Sequence, residues 1–210
     1  MSISHQFEHY FAECPLIAIL RGVRPDEVEA IGEALVEGGI RIIEVPLNSP
    51  DPLDSIARLV ARMHGRALVG AGTVLQIEQV EQVRAVGGQL IVSPSTKPSV
   101  IKATVVAGMI SCPGYFTPSE AFAALDAGAH ALKLFPAEAA SPAVVRAQRA
   151  VLPKDVRLIV VGGVGPDTMA PWIEAGADGF GLGSGIYRLG QDAATTLDHA
   201  RAYTSALAPR

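Results

Sequence analysis

Two ionisable residues stand inside otherwise apolar runs: Lys133 in "HALKLFP" and Glu44 in "RIIEVPL". Burying either charge without a partner or a task is costly. The structural explanation is an ion pair across a core, or a lysine stem that carries its head out to water. The chemical explanation is that apolar walls lower the lysine pKa until a neutral amine can attack a carbonyl, while the carboxylate moves protons. A second pair of features suits an anion. "VVGGVGP" and "GLGSG" put Gly162, Gly163, Gly183 and Ser184 in turns whose backbone N–H groups and hydroxyl can cradle a phosphate, although either turn alone would be ordinary punctuation. Arg21, directly after "LIAIL", has the forked donors that match a carboxylate or phosphate, or it is a solvated loop charge. Thr73 in "GAGTVL" and Asn48 in "PLNSP" are hydrogen-bonding residues that would also serve as caps of the next helices. Ser93 and Pro94 follow another apolar run, and Cys112 ends one; a thiol there is more often inert and buried than nucleophilic.

These residues share a frame. Helix-stop signals precede apolar runs throughout the chain: "VEGG" before "IRIIEV", "RMHG" before "RALVGAG", "AVGG" before "QLIVS", "VVAG" before "MISCPG", "LDAG" before "AHALKLF" and "IEAG" before "ADGFGLG". Gly39, Gly65, Gly88, Gly108 and Gly128, then Pro153, then Gly176, recur every 20 to 26 residues, one βα unit per interval. Prolines in "RPDE", "SPDP", "KPSV", "TPSE", "SPAV" and "GPDT" mark helix starts, and Thr117 with Glu120 forms a capping-box pattern. With "PLIAIL" the sequence predicts eight strands, at about 15–20, 41–47, 67–72, 89–93, 109–112, 130–135, 157–161 and 179–183. Their near-continuous hydrophobicity fits a parallel sheet covered by helices. The expected fold is α/β, a (β/α)8 TIM barrel formed as a single domain over 1–210, with a short helical extension at about 1–14. An open doubly wound sheet is the runner-up. In a barrel, every residue singled out above falls at a strand end or in the loop after it, where barrels carry their chemistry.

Composition narrows the partners. A net charge of −4 and scattered Lys and Arg give no basic face for nucleic acid. No apolar run approaches a membrane span. Cys14 and Cys112 lack redox or metal spacing, and "MSISHQFEHYFAECP" lacks a signal-peptide pattern, which together predict a cytoplasmic location. His5, His9, His64, His130 and His199 show no metal-ligand spacing. "GFGLGSG" stands near the C-terminus with no following βαβ unit, which argues against a nucleotide fingerprint.

The motifs "IAILRG", "IEVPLNSP", "VGAGTVL", "QLIVSP", "CPGYFTPSEA", "LKLFPAE" and "VGGV" together resemble the class I aldolases that cleave 2-keto-3-deoxy-6-phospho sugar acids. The resemblance covers most of the chain. It implies that Lys133 forms a Schiff base, Glu44 is the general acid/base, Arg21 and Thr73 contact substrate, and Gly162, Gly163, Gly183 and Ser184 hold its phosphate; Pro94, Asn48 and Val161, at strand ends beside them, are further expected substrate contacts. No cofactor or metal is implied, and the family's assembly is a homotrimer. The family has two branches whose substrates are C4 epimers. The gluconate branch tends to carry Arg and Thr where this sequence has Asn48 and Val161; Val161 offers no hydrogen bond, so the galactonate branch is the better match. The alternatives are the gluconate-branch aldolase, a barrel isomerase or epimerase using Glu44 and Lys133 as plain acid and base, and a non-catalytic phosphosugar sensor.

Overall fold

In the computed structural model, which describes residues 2–207, the apolar runs become nine parallel strand segments of one sheet. They are β1 (Leu16–Ile19), β2 (Ile42–Pro46), β3 (Leu68–Gly72), β4 (Leu90–Val92), β5 (Ile110–Cys112), β6 (Gly114–Tyr115), β7 (Ala131–Leu134), β8 (Arg157–Val161) and β9 (Gly179–Leu182). The helices are α1 (Ile3–Glu13), α2 (Val28–Glu37), α3 (Pro52–Arg62), α4 (Ile77–Ala85), α5 (Pro98–Val106), α6 (Pro118–Asp126), α7 (Pro142–Arg149), α8 (Ala170–Glu174) and α9 (Ala193–Ala206).

The helix-stop signals act as the sequence predicts, with one displacement. Gly39, Gly65, Gly108, Gly128 and Gly176 all have positive φ, but in the third unit it is Gly87 (φ 84°), one residue before Gly88, that turns the chain. The closing hydrogen bonds repeat. Ile40 donates to Leu35, Gly88 to Val83, Met109 to Thr104, Ala129 to Ala124 and Ala177 to Trp172, each tying the residue after the turn back to the last helical turn. Pro52, Pro98, Pro118 and Pro142 each open a helix, where a missing N–H costs nothing. The Thr117–Glu120 capping box is formed in both directions.

Strand order is sequential around the sheet, which rules out the doubly wound alternative. The ring closes through the fifth strand of the barrel, which Pro113 splits into β5 and β6. That interruption is absent from the predicted strand at 109–112. On one side Ser93 donates to the Cys112 carbonyl and Gly114 to that of Ser93; on the other, His130 donates to Ser111 and Lys133 to Pro113. Pro113 has no N–H to give, but its carbonyl completes the ladder.

Alternate residues of each strand face inward. Ile17, Ile42, Leu68, Leu90, Ile110, Ala131 and Ile159 form an apolar layer inside the ring, and α1 seals the end beneath it. Phe7 and Phe11 of α1 are fully buried with ring centroids 5.5 Å apart, and Gly179 leaves room for the Phe11 ring. Glu8–Arg157 (2.7 Å) and Glu13–Arg41 (3.2 Å) ion pairs fasten the helix to β8 and to the start of β2. The extension expected at about 1–14 starts with Met1, outside the described residues; the helix at its centre is this plug. Phe11→Ala should therefore destabilise the fold by about 3–5 kcal/mol, the usual cost of emptying a buried aromatic site. Urea unfolding checks this, and a midpoint unchanged from the parent would contradict the plug.

Candidate active site

Inward alternation brings the two embedded charges together. On β2, Ile42 and Glu44 share the inner face, with Glu44 registered against Ile19 and Gly70; on β7, Ala131 and Lys133 share it, with Lys133 between Gly114 and Ile159. Both side chains are buried, at 2% and 7% exposure. Burial pushes the Glu44 carboxyl up to about 7, while Lys133 and Arg21 pull the other way. Burial holds the Lys133 amine below the ordinary lysine range, with Glu44 opposing. Glu44 Oε2 has no hydrogen-bond partner among the described residues, which marks a group kept for something other than packing. Gly72 makes the space: a Cβ there would collide with the Glu44 carboxyl. Cys112 borders the pair, but burial lifts its thiol to about 12, too high for a thiolate nucleophile. A small cavity of about 10 Å3 lies between Glu44, Cys112 and Lys133, room for about one water.

Above Lys133 opens a cavity of about 410 Å3 at the C-terminal end of the barrel. Arg21, Thr73, Pro94, Lys133, Val161, Gly162, Gly163, Gly183 and Ser184 all line it. Thr73 has φ 58°, an outlier for a β-branched residue, at the tip of β3. Such strain persists only where neighbours impose it. Here the chain is pinned one residue later: the Ser93 hydroxyl donates to the Val74 carbonyl (2.8 Å) and the Val74 N–H to that of Val92. Asn48 is not on the cavity wall. Its Oδ1 accepts from Arg21 Nη1 at 2.7 Å, and Ser49 Oγ accepts from the Gly22 N–H at 2.9 Å, so the loop after β2 orients the guanidinium on the loop after β1.

The outer end of the cavity is built from the glycine turns after β8 and β9. Each turn ends in a single short turn of chain rather than a long helix. Gly183 faces open space, and Gly162 and Gly163 pack under the Glu138 side chain, which a Cβ at either position would strike. Tyr203 of α9 spans the two turns, its hydroxyl donating to the Val164 carbonyl (2.9 Å) and lying against Gly185. Phe135, Glu138, Arg188 and Tyr203 line the cavity but were not singled out from sequence. Phe135 had a usable signal, since it lies two residues beyond Lys133 on the same face; its ring centroid is 4.8 Å from Nζ. Tyr203 had none, because α9 reaches the site only by docking.

A larger cavity, about 510 Å3, lies beneath the barrel beside α1, lined by residues such as His9, His64 and Gln89. It holds no embedded charge pair, which leaves the smaller cavity as the candidate site. Glu44 itself supplies a test. Its carboxyl is neutral in both folded and unfolded chains well below pH 4.5 and ionised in both above about 7, so its raised pKa lowers stability progressively between those values. Glu44→Gln, which cannot ionise, should gain in unfolding free energy relative to the parent as pH rises from 5 to 8.5, by a difference on the order of 3 kcal/mol read from urea unfolding at each pH. A constant difference across that range would contradict the buried, elevated carboxyl.

Comparison with known proteins agrees with this geometry. Residues 7–198 match the family described as "Aldolase: KDPG and KHG aldolase". The chain is 48% identical over 192 residues to 2-dehydro-3-deoxy-6-phosphogalactonate aldolase of Escherichia coli (strain K12), covering 91% of this chain and 94% of that one. It is 33% identical over 154 residues to the KHG/KDPG aldolase of the same strain, covering 72% and 71%. A solved structure described as native KDPGal superimposes with a TM-score of 0.91 at 48% identity, covering 92% of this chain and 94% of that one. With its embedded lysine and glutamate at the C-terminal mouth of a (β/α)8 barrel, the chain belongs to the KDPG and KHG aldolase family.

Proposed function

We propose that this chain is a class I aldolase that cleaves 2-dehydro-3-deoxy-6-phosphogalactonate to pyruvate and glyceraldehyde 3-phosphate. The single observation that carries the reading is a desolvated Lys133 amine at the floor of the cavity with the Glu44 carboxyl beside it. Neutral Lys133 attacks the C2 ketone, giving a carbinolamine that loses water to form an iminium. Glu44, through one water in the small cavity, takes the proton of the C4 hydroxyl as the C3–C4 bond breaks. The bond's electrons flow into the iminium, leaving a lysine-bound enamine of pyruvate, and the aldehyde departs. Protonation at C3 and hydrolysis release pyruvate and restore the amine. Arg21, oriented by Asn48, and the strained Thr73 bind the carboxylate end; the glycine turns with Ser184 bind the phosphate. No cofactor takes part in this sequence of steps.

The galactonate epimer is favoured by Val161 on the cavity wall, where a hydroxyl would be needed to hydrogen-bond the opposite C4 configuration, and by 48% against 33% identity to the two aldolases compared. The working enzyme is a cytoplasmic homotrimer. The small-residue helices α5 and α6 expose Val105, Val106 and Phe122 on one side of the barrel, with Val106 88% exposed, an apolar surface suited to another subunit. Among the described residues no helix is long and apolar enough to cross a membrane.

Borohydride reduction in the presence of pyruvate should add the reduced pyruvate mass to the peptide containing Lys133; an active enzyme whose Lys133 stays unmodified would leave the non-covalent isomerase reading instead. Lys133→Ala should cleave at background rate, and Glu44→Gln should slow cleavage by about 10²- to 10⁴-fold while still forming the adduct. Relative kcat/KM on the two C4 epimers should favour the galactonate substrate, and Val161→Thr should move that ratio about fivefold toward the gluconate substrate, the worth of one hydrogen bond of ~1 kcal/mol. An unmoved ratio would remove Val161 as the source of the preference.

A further inference from the structure

Arginine pairing across the molecule is uneven. Nine of the twelve arginines among the described residues lie in ion pairs with carboxylates: Arg24, Arg41, Arg58, Arg62, Arg66, Arg84, Arg149, Arg157 and Arg201. Arg21, Arg146 and Arg188 do not. Two of those three, Arg21 and Arg188, line the same cavity. Arg21 is turned toward the buried pair by Asn48. Arg188 stands beside the glycine turns, four residues after Ser184.

The exposed Arg188 guanidinium is held by the protein along one edge only. Its Nε donates to the Ser184 carbonyl at 3.0 Å, which fixes one edge of the plane, and its two terminal nitrogens have no acceptor among the described residues. The chain on either side is held. Tyr187 donates its hydroxyl to Glu27 Oε1 at 2.7 Å, the Gln191 N–H donates to the Arg188 carbonyl at 2.9 Å, and the Gln191 amide reaches Ile186 and Thr196. A donor fork on a fixed backbone loses little freedom when it meets an anion. The Glu138 carboxylate lies against Gly162 and Gly163 on the cavity wall, so backbone N–H groups alone would receive a dianion next to a like charge.

We propose that Arg188 is the charged contact to the substrate's phosphate monoester, offsetting Glu138 and making the enzyme selective for phosphorylated over unphosphorylated 2-keto-3-deoxy sugar acids. This rests on the aldolase reading above, in which the substrate carries a phosphate. The role belongs to the loop after β9 and lies outside the motifs that first marked the site.

The test compares kcat/KM for a phosphorylated substrate with that for its unphosphorylated counterpart, in the parent, Arg188→Ala and Arg188→Lys. Arg188→Ala should lower the phosphorylated-to-unphosphorylated ratio about 10- to 100-fold, chiefly through KM, the range for losing a charge-assisted hydrogen bond. Arg188→Lys should recover part of the loss, since it restores the charge without the fork. Inhibition by inorganic phosphate should weaken in parallel in Arg188→Ala. An unchanged ratio, or an equal loss on both substrates, would overturn the assignment. Pyruvate has no phosphate, so borohydride trapping on Lys133 in each variant reports the fold and the aldolase chemistry separately: a trapped variant with an unchanged ratio refutes Arg188 alone, whereas a parent that is never trapped refutes the aldolase reading and this assignment with it.

Discussion

An amine and a carboxyl kept out of bulk solvent in the middle of a barrel set the terms for the rest of the molecule. Bulk water in that space would return Lys133 to its ordinary protonated state and Glu44 to its ordinary ionised one. The apolar layer of Ile17, Ile42, Leu68, Leu90, Ile110, Ala131 and Ile159 fills the ring beneath the pair, and Phe7 and Phe11 seal the end below that layer. Gly72 is small because the carboxyl needs its place. Residues remote from any substrate thus contribute to the state of two reacting groups.

The two ends of the cavity are built on different principles. The inner end is built from side chains held against their own preferences: a β-branched Thr73 in left-handed backbone, an arginine steered by Asn48, and a carboxyl deprived of solvent. At the outer end, backbone does most of the shaping, and glycine leaves it uncovered. Tyr203 bridges the two glycine turns from a helix later in the chain, so their spacing is fixed by a single hydroxyl contact and close packing on Gly185. Strain and stiffness are concentrated along the cavity wall, while the βα frame around them is regular.

Much of this was legible in the sequence because the signals are local. A glycine after each helix and a proline before the next mark the units, and period-two alternation places Glu44 and Lys133 on an inner face once the runs are read as strands. The shift from Gly88 to Gly87 shows the limit of reading a "GG" pair, since either residue can adopt the turn and helix length decides. The break at Pro113 was hidden because proline normally ends a strand, and here its carbonyl is used while its absent N–H is not missed. Asn48 was read as a ligand contact because its distance to Arg21 depends on how two loops pack. Arg188 and Tyr203 were invisible for a related reason: an arginine without a carboxylate partner and a tyrosine on a docked helix acquire meaning only from neighbours far along the chain.

The seam at Pro113 has one more consequence. It divides the ring into an arc of β1 to β5, which carries Glu44, and an arc of β6 to β9, which carries Lys133 and the glycine turns; β1 and β9 meet at the opposite seam. Neither arc carries both embedded charges. The amide of Lys133 is itself one of the bonds that close the ring, to the Pro113 carbonyl. The pairing of amine and carboxyl is therefore a property of the closed circle, since neither half-barrel holds both groups.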